Sequence, residues 1–288
     1  MASYDDVHYQ SADGRLTLYA RDYGAPFEGA PAVLCMHGLT RNSADFEWIA
    51  GHLSPHYRVI AADMRGRGRS EWDPVPANYT PAVYCLDMLG LLDHLGIAQT
   101  ALIGTSMGGL MAMILGVTAR NRLTGAVIND VGPDIEAAGL QRIAAYTGKT
   151  QPPATWADAA KTAQFINAVA FPDYGPDDWM AFARRLFLDK EGVPVPAYDP
   201  AIAGGLKPSS DAPVAPPDLW PMWDGLQGLP ILAIRGEISD LLSPVTLQKM
   251  GERHTGMIAV IVPDRGHAPM LDEPEAVAAI DAFLAGLS

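Results

Sequence analysis

Short apolar runs alternate with longer amphipathic stretches through the first 130 residues. Polar and apolar positions alternate over residues 7–11 and 16–22, on either side of Asp13-Gly14, which predicts a β-hairpin. Residues 32–36 form a continuous apolar run of the kind found in strands buried on both faces. A helical repeat over 45–53, a strand over 57–62 and a helix over 81–95, closed by Gly96, come next. Strand 101–103, helix 110–115 and strand 124–128 continue the exchange. Strands and helices alternating at this spacing predict an α/β protein with a doubly wound, mostly parallel sheet.

The texture changes at Pro133. From there to about residue 220 helical patterns dominate, and Trp179, Phe182, Leu186 and Phe187 fall on one helical face with Arg184 and Arg185 off it. Residues 193–221 are rich in proline and glycine and show no period. Strand-like runs return at 230–234 and 257–262, and a helix over 275–284 ends the chain. The pattern predicts a core of residues 1–132 and 221–288, with a helical cap of residues 133–220 inserted between two core strands.

Composition narrows the function classes. A chain of 288 residues, 49% hydrophobic and 18% charged, is long enough for one large globular domain with an insertion. The formal net charge of −13 argues against nucleic acid and anionic membrane surfaces as partners. The expected partner is a small-molecule substrate, met by a monomer or homodimer. The first residues lack a basic region followed by an apolar stretch, and no apolar run approaches the length of a membrane span, so the expected compartment is the cytoplasm. Cys35 and Cys85 read as small buried hydrophobes in apolar contexts. His8, His52, His56, His94 and His254 lack partners at metal-ligand spacing; no metal or cofactor is expected.

The chemistry concentrates at strand ends. The apolar strand before Gly104-Thr105-Ser106-Met107-Gly108 runs straight into that segment, and an apolar helix follows at once. This is the context of a nucleophile elbow, in which a serine sits on a sharp strand-to-helix turn and its neighbours two residues away must be small. The helix N-terminus turns its free N–H groups and positive end toward the serine. Two partners lie downstream after strand-like runs. Asp240 stands in Arg235-Gly236-Glu237-Ile238-Ser239-Asp240, and His267 in Asp264-Arg265-Gly266-His267. Asp130, which also follows a core strand, competes with Asp240 for the role of acid; Asp264 is a weaker third. Upstream, a buried-type strand ends in His37-Gly38-Leu39, where His37 reads as a structural turn residue. The Gly/Arg segment from Asp63 to Ser70 lacks the following helix and the Lys-Ser/Thr of a phosphate-binding loop, so it reads as a tight, hydrogen-bonded loop beside the pocket.

Taken with the order serine, acid, histidine, these segments resemble the α/β-hydrolase fold superfamily over nearly the whole chain. The resemblance implies a serine hydrolase with Ser106 as nucleophile, His267 as base and Asp240 as the preferred acid. It implies an oxyanion hole made by the backbone N–H groups of Met107 and, by analogy with His-Gly-x loops, Leu39. Asp63-x-Arg65-Gly66-x-Gly68-x-Ser70 matches a segment common in the superfamily, whereas Thr105 stands where many relatives carry histidine or glutamine. The implied substrate is a small or medium, uncharged carboxylic ester, with Trp156, Phe165, Phe171, Trp179 and Trp220 as candidate pocket walls. The same machinery in relatives serves lactones, carbon–carbon bonds and N-terminal proline peptides. For the last, Glu136, Asp173, Asp177 and Asp178 are available to grip an amine. A ligand-sensing module with vestigial turnover is the alternative from another class.

Overall fold

The computed structural model describes residues 2–149, 151–206 and 218–287. Its ten strands are β1 (Asp5–Gln10), β2 (Thr17–Asp22), β3 (Ala32–Met36), β4 (Arg58–Asp63), β5 (Thr100–Thr105), β6 (Leu123–Asn129), β7 (Phe187–Lys190), β8 (Val193–Pro196), β9 (Ile231–Gly236) and β10 (Ile258–Val262). Eight of them form one sheet in the order β1-β2-β4-β3-β5-β6-β9-β10. From β4 to β10 all neighbours run parallel; β1 and β2 pair antiparallel, as β2 does with β4.

The central strands are apolar over most of their length, with polar residues near their ends, because both faces are covered. Leu34, Met36, Ile60, Leu102, Ile128 and Ala233 enter one core, and their sequence neighbours Val33, Cys35, Val59, Ile103, Val127 and Leu232 the other. The helices are α1 (Glu47–Leu53), α2 (Pro81–His94), α3 (Met107–Thr118), α4 (Ala137–Tyr146), α5 (Trp156–Asn167), α6 (Pro176–Leu186), α7 (Trp220–Asp224), α8 (Pro244–Arg253) and α9 (Pro274–Ala285), of which α1, α2, α3, α8 and α9 pack on the main sheet. After β3 the chain steps to one side of the sheet to make β4, then crosses to the other side for β5. That reversal opens a crevice at the C-terminal ends of β3 and β5, the usual place for a ligand in such sheets.

Between β6 and β9 no described residue joins the main sheet. This stretch holds α4, α5 and α6, the β7–β8 hairpin and a third apolar cluster of its own, in which Phe171, Trp179, Phe182, Ala183 and Phe187 pack with Met270. The hairpin is not legible in the sequence because prolines interrupt it, as edge strands tolerate. Its turn, Glu191-Gly192, has positive φ at both residues (54° and 84°), the conformation of a tight two-residue hairpin loop. Phe187, expected on the α6 face, begins β7 instead and stays buried.

Candidate active site

The turn from β5 into α3 explains the spacing of the glycines. Ser106 has φ 54° and ψ −114°, a backbone that an L-residue holds only under tertiary constraint. A Cβ on Gly104 would overlap the Gly108 carbonyl, and one on Gly108 would overlap the Met36 carbonyl of β3. Glycine at both places is therefore a steric requirement of the bend. The Ser106 N–H donates to the Asn129 carbonyl (2.9 Å), which pins the bend to the end of β6.

His267 arrives on the loop after β10. Glu273 organises that loop by accepting from the Met270 and Leu271 N–H groups (3.0 and 2.9 Å) and from Arg265 Nε (3.2 Å). Gly266 N–H donates to the Ala170 carbonyl (2.8 Å), tying the loop to the segment after α5. The imidazole lies between two partners. Ser106 Oγ is 2.9 Å from Nε2, and Asp130 Oδ2 is 2.8 Å from Nδ1. An ionised carboxylate only accepts, so Nδ1 carries the proton and Nε2 is free to accept from the serine hydroxyl.

The acid of this hydrogen-bond chain is thus Asp130, and the preference for Asp240 is corrected. Asp130 is fully buried at the end of β6 in a left-handed conformation (φ 56°). It accepts from the Gly236 N–H at Oδ1 (2.8 Å) and from Ser239 Oγ at Oδ2 (2.6 Å), besides His267. Asp240, one residue beyond Ser239, turns outward to Arg142 in a bidentate pair (2.6 and 2.8 Å). That guanidinium holds the Asp240 carboxyl below the usual carboxylate range. Asp264 meets Glu237 through its backbone N–H and does not contact His267.

Leu39 and Met107 both face the serine region. Leu39 lines the same cavity as Ser106, and a Cβ on Gly38 would stand 3.6 Å from Ser106 Cβ. Among the described residues, neither the Leu39 nor the Met107 N–H has a hydrogen-bond partner. Sequence reasoning gave His37 a structural place, and the geometry adds detail. Its Nε2 accepts from Met64 N–H (3.1 Å), so Nδ1–H donates to the Gly38 carbonyl (2.7 Å), the other end of the peptide unit that carries the Leu39 N–H. Burial, with Arg67 and Arg41 nearby, drives the His37 pKa down to about 3, which keeps the ring in this neutral form.

A cavity of about 70 Å³ opens beside Ser106 and His267, walled by Leu39, Ile143, Phe171, Phe182 and Met270. A second, of about 50 Å³, adjoins it and shares Thr40, Arg41, Tyr146 and Asn167. Of the aromatics expected as walls, Phe171 lines the cavity. Trp179 is buried in the third cluster, Trp156 lies under the Arg184 guanidinium (3.6 Å to its ring), and Trp220 stacks with Arg253 (4.8 Å). Phe165 is 89% exposed, away from the serine. Phe182, on the same stripe as Trp179, lines the cavity as well, and so do Phe46 and Tyr146, none of them among the expected walls. Sequence reasoning also missed the ion pair inside the cavity, Arg41 with Asp45 (2.6 Å at both contacts). Glu136, Asp173, Asp177 and Asp178 lie outside the lining; Asp173 pairs with Arg265 and Asp178 caps α6 through Gly175 N–H.

Both cysteines are buried thiols, and no cluster of metal-ligating side chains occurs among the described residues. None of their helices is long and apolar enough to cross a membrane. Residues 33–280 match the model of a family described as the alpha/beta hydrolase family. The chain is 34% identical over 263 residues to a 3-hydroxybutyrate-oligomer hydrolase of Cupriavidus necator, covering 89% of each chain. It is 29% identical to a 2-(acetamidomethylene)succinate hydrolase of Mesorhizobium japonicum, over 88% of this chain and 86% of that one. A crystal structure of an alpha/beta hydrolase from Novosphingobium aromaticivorans superposes with a TM-score of 0.90 at 40% identity, covering 99% of both chains.

Proposed function

Since the chain belongs to the alpha/beta hydrolase family, we propose that it cleaves esters of short hydroxy acids through an acyl-enzyme on Ser106. The observation that carries this reading is the unbroken hydrogen-bond chain from Ser106 Oγ through His267 to Asp130. His267 Nε2 takes the hydroxyl proton as Oγ attacks the ester carbonyl, and Asp130 stabilises the imidazolium that forms. The negative oxygen of the tetrahedral intermediate rests on the N–H groups of Leu39 and Met107. His267 returns the proton to the departing alcohol. Water then adds to the acyl-enzyme by the same route in reverse and frees the acid.

Two observations support the substrate class. The cavities beside the serine are small, and the Arg41–Asp45 pair offers both a donor and an acceptor to a polar substrate end. The expected uncharged ester is narrowed here to one rich in oxygen, since a polar end can meet the pair where Arg41 lies over the Phe182 ring (4.3 Å). The relative from Cupriavidus necator is, by its name, a hydrolase of 3-hydroxybutyrate oligomers, whose units are short hydroxy acids joined by esters. We take residues 133–220 as the cap that closes the pocket, since Phe171 and Phe182 from this stretch wall the cavity.

The test is turnover of the 3-hydroxybutyrate dimer alongside a p-nitrophenyl ester series from acetate to octanoate, with an organophosphonate as serine trap. Expected are hydrolysis of the dimer, a preference for the shortest acyl chains, and loss of turnover by about 10⁶ in Ser106→Ala with the fold retained. Stoichiometric labelling of Ser106 without turnover of any ester overturns the reading in favour of a ligand sensor. Faster opening of a lactone than of any linear ester overturns it in favour of a lactonase.

A further inference from the structure

The loop after β4 buries two arginines that are treated differently. Arg65 and Arg67 are both fully inaccessible to solvent. Arg65 is neutralised by carboxylates, with Asp87 on Nε and Nη2 (2.7 Å each) and Asp73 on Nη1 (2.6 Å). Arg67 has no carboxylate within salt-bridge distance among the described residues. Its Nε donates to the Leu39 carbonyl (2.9 Å), Nη1 donates to the Arg65 carbonyl and the Tyr84 hydroxyl (2.9 and 2.8 Å), and Nη2 lies 3.9 Å from Met107 Sδ. The rings of Tyr84 and Tyr79 lie 4.8 and 5.5 Å from its guanidinium carbon.

An arginine buried without a counter-ion is costly, and neutral acceptors and ring faces offset that cost only in part. A purely structural loop would do better with the arrangement Arg65 has two residues away. The two residues that Arg67 touches in the site are Leu39 and Met107, whose N–H groups are the proposed oxyanion donors. The loop is also fixed from outside. Gly68 N–H donates to the Ala197 carbonyl (2.7 Å) and Asp199 N–H to the Gly66 carbonyl (2.8 Å), so the charge cannot swing away.

We infer that Arg67 is a positioning residue for the oxyanion: a fixed, uncompensated positive charge behind the Leu39 and Met107 N–H groups. It holds the Leu39 main chain in place and favours negative charge on the substrate oxygen in the tetrahedral state. The charge acts when the carbonyl oxygen becomes anionic and contributes little while the substrate is neutral. Its signature is therefore a loss in kcat with KM nearly unchanged.

This inference rests on the ester-hydrolase reading, and the experiment keeps the two apart. A phenylalkyl boronic acid adds to a reactive serine as a tetrahedral anion, whereas an ether analogue of the ester binds without gaining charge. In the unaltered protein, boronate binding that disappears in Ser106→Ala is expected; equal binding by both overturns the hydrolase reading and this inference with it. In Arg67→Met, which keeps length and removes charge, kcat and boronate affinity are expected to fall together by about 10- to 100-fold. Affinity for the ether changes less than threefold. Boronate affinity and kcat unchanged in a folded Arg67→Met, or boronate and ether weakened alike, overturns the role of Arg67 and leaves the hydrolase reading standing. Arg67→Lys covers the case in which the Met variant does not fold. Its retained charge is expected to keep the boronate preference over the ether within about fivefold, and a loss beyond tenfold overturns the inference.

Discussion

Two loops leave neighbouring strands and each offers an aspartate to the same histidine. After β6 the chain reaches Asp130, and after β9 it reaches Asp240. In sequence Asp240 is the stronger candidate, because it follows a penultimate core strand in a Gly-x-x-Ser-Asp setting. In space Asp130 is the partner. It follows directly on Asn129, where β6 stops, and its left-handed backbone sets the side chain where Gly236 and Ser239 complete its hydrogen bonds. The β9 loop runs three residues further before its acid appears. By then Ser239 has taken the inward place and Asp240 faces Arg142 on α4. The β9 loop therefore contributes to the same site through its serine and a backbone N–H. A motif names candidates, but the length of loop between the strand end and the acid decides which of them faces inward.

That contrast can be broken most severely at Asp130. Asp130→Asn is expected to lower kcat by about 10⁴, because the amide lets His267 settle in the wrong tautomer for accepting the Ser106 proton. Steady-state kinetics on the fastest ester measures it, and retention of more than a tenth of the activity would return the role to Asp240. Ser239→Ala sharpens the comparison. Removing one donor from a carboxylate that keeps two others should cost about tenfold in kcat, near 1.4 kcal/mol for a hydrogen bond to a charged group. Asp240→Asn is the mild end: activity within about threefold of the parent and a stability loss of up to ~1 kcal/mol in urea unfolding, as for a partly exposed ion pair. The sign with pH is fixed by the lowered pKa of Asp240. The pair's contribution is present above the carboxylate's unfolded pKa and is lost as pH falls through the folded one, so parent and variant should converge in stability under acid.

The legible parts of the molecule share a feature. Ser106 stands where an apolar strand ends among glycines and His267 on a short loop after an apolar run, and a strand buried on both faces announces itself as an unbroken apolar run. The apolar run of β3 coincides with its observed limits for that reason. What stays hidden depends on direction after the strand ends. The acid is one case; the walls of the cavity are another. The apolar stripe of α6 shows which face is buried but not against what, so Trp179 and Phe182 are equivalent in sequence. In space Trp179 packs into the insertion's own cluster, while Phe182 also walls the cavity. Arg67 stays hidden because a tight, hydrogen-bonded Gly/Arg loop does not show in sequence which of its guanidinium groups is buried and which of them meets a carboxylate.

Asp130 also marks the point where the chain departs the sheet, and Gly236 and Ser239 mark where it has come home a hundred residues later. One carboxylate thus buckles together both ends of the long excursion between β6 and β9. Ser106 and His267, with the proposed oxyanion donors Leu39 and Met107, lie outside that excursion, and Asp130 is its first residue. Longer loops add little closure entropy, but the excursion is also tied to the loops of the site, by the Ala170 carbonyl on Gly266 N–H and the Ala197 carbonyl on Gly68 N–H, so its length is free only between those anchors. Exchanging residues 133–220 for a relative's, with those anchors kept, is expected to change the order of kcat/KM across the ester series while organophosphonate labelling of Ser106 persists.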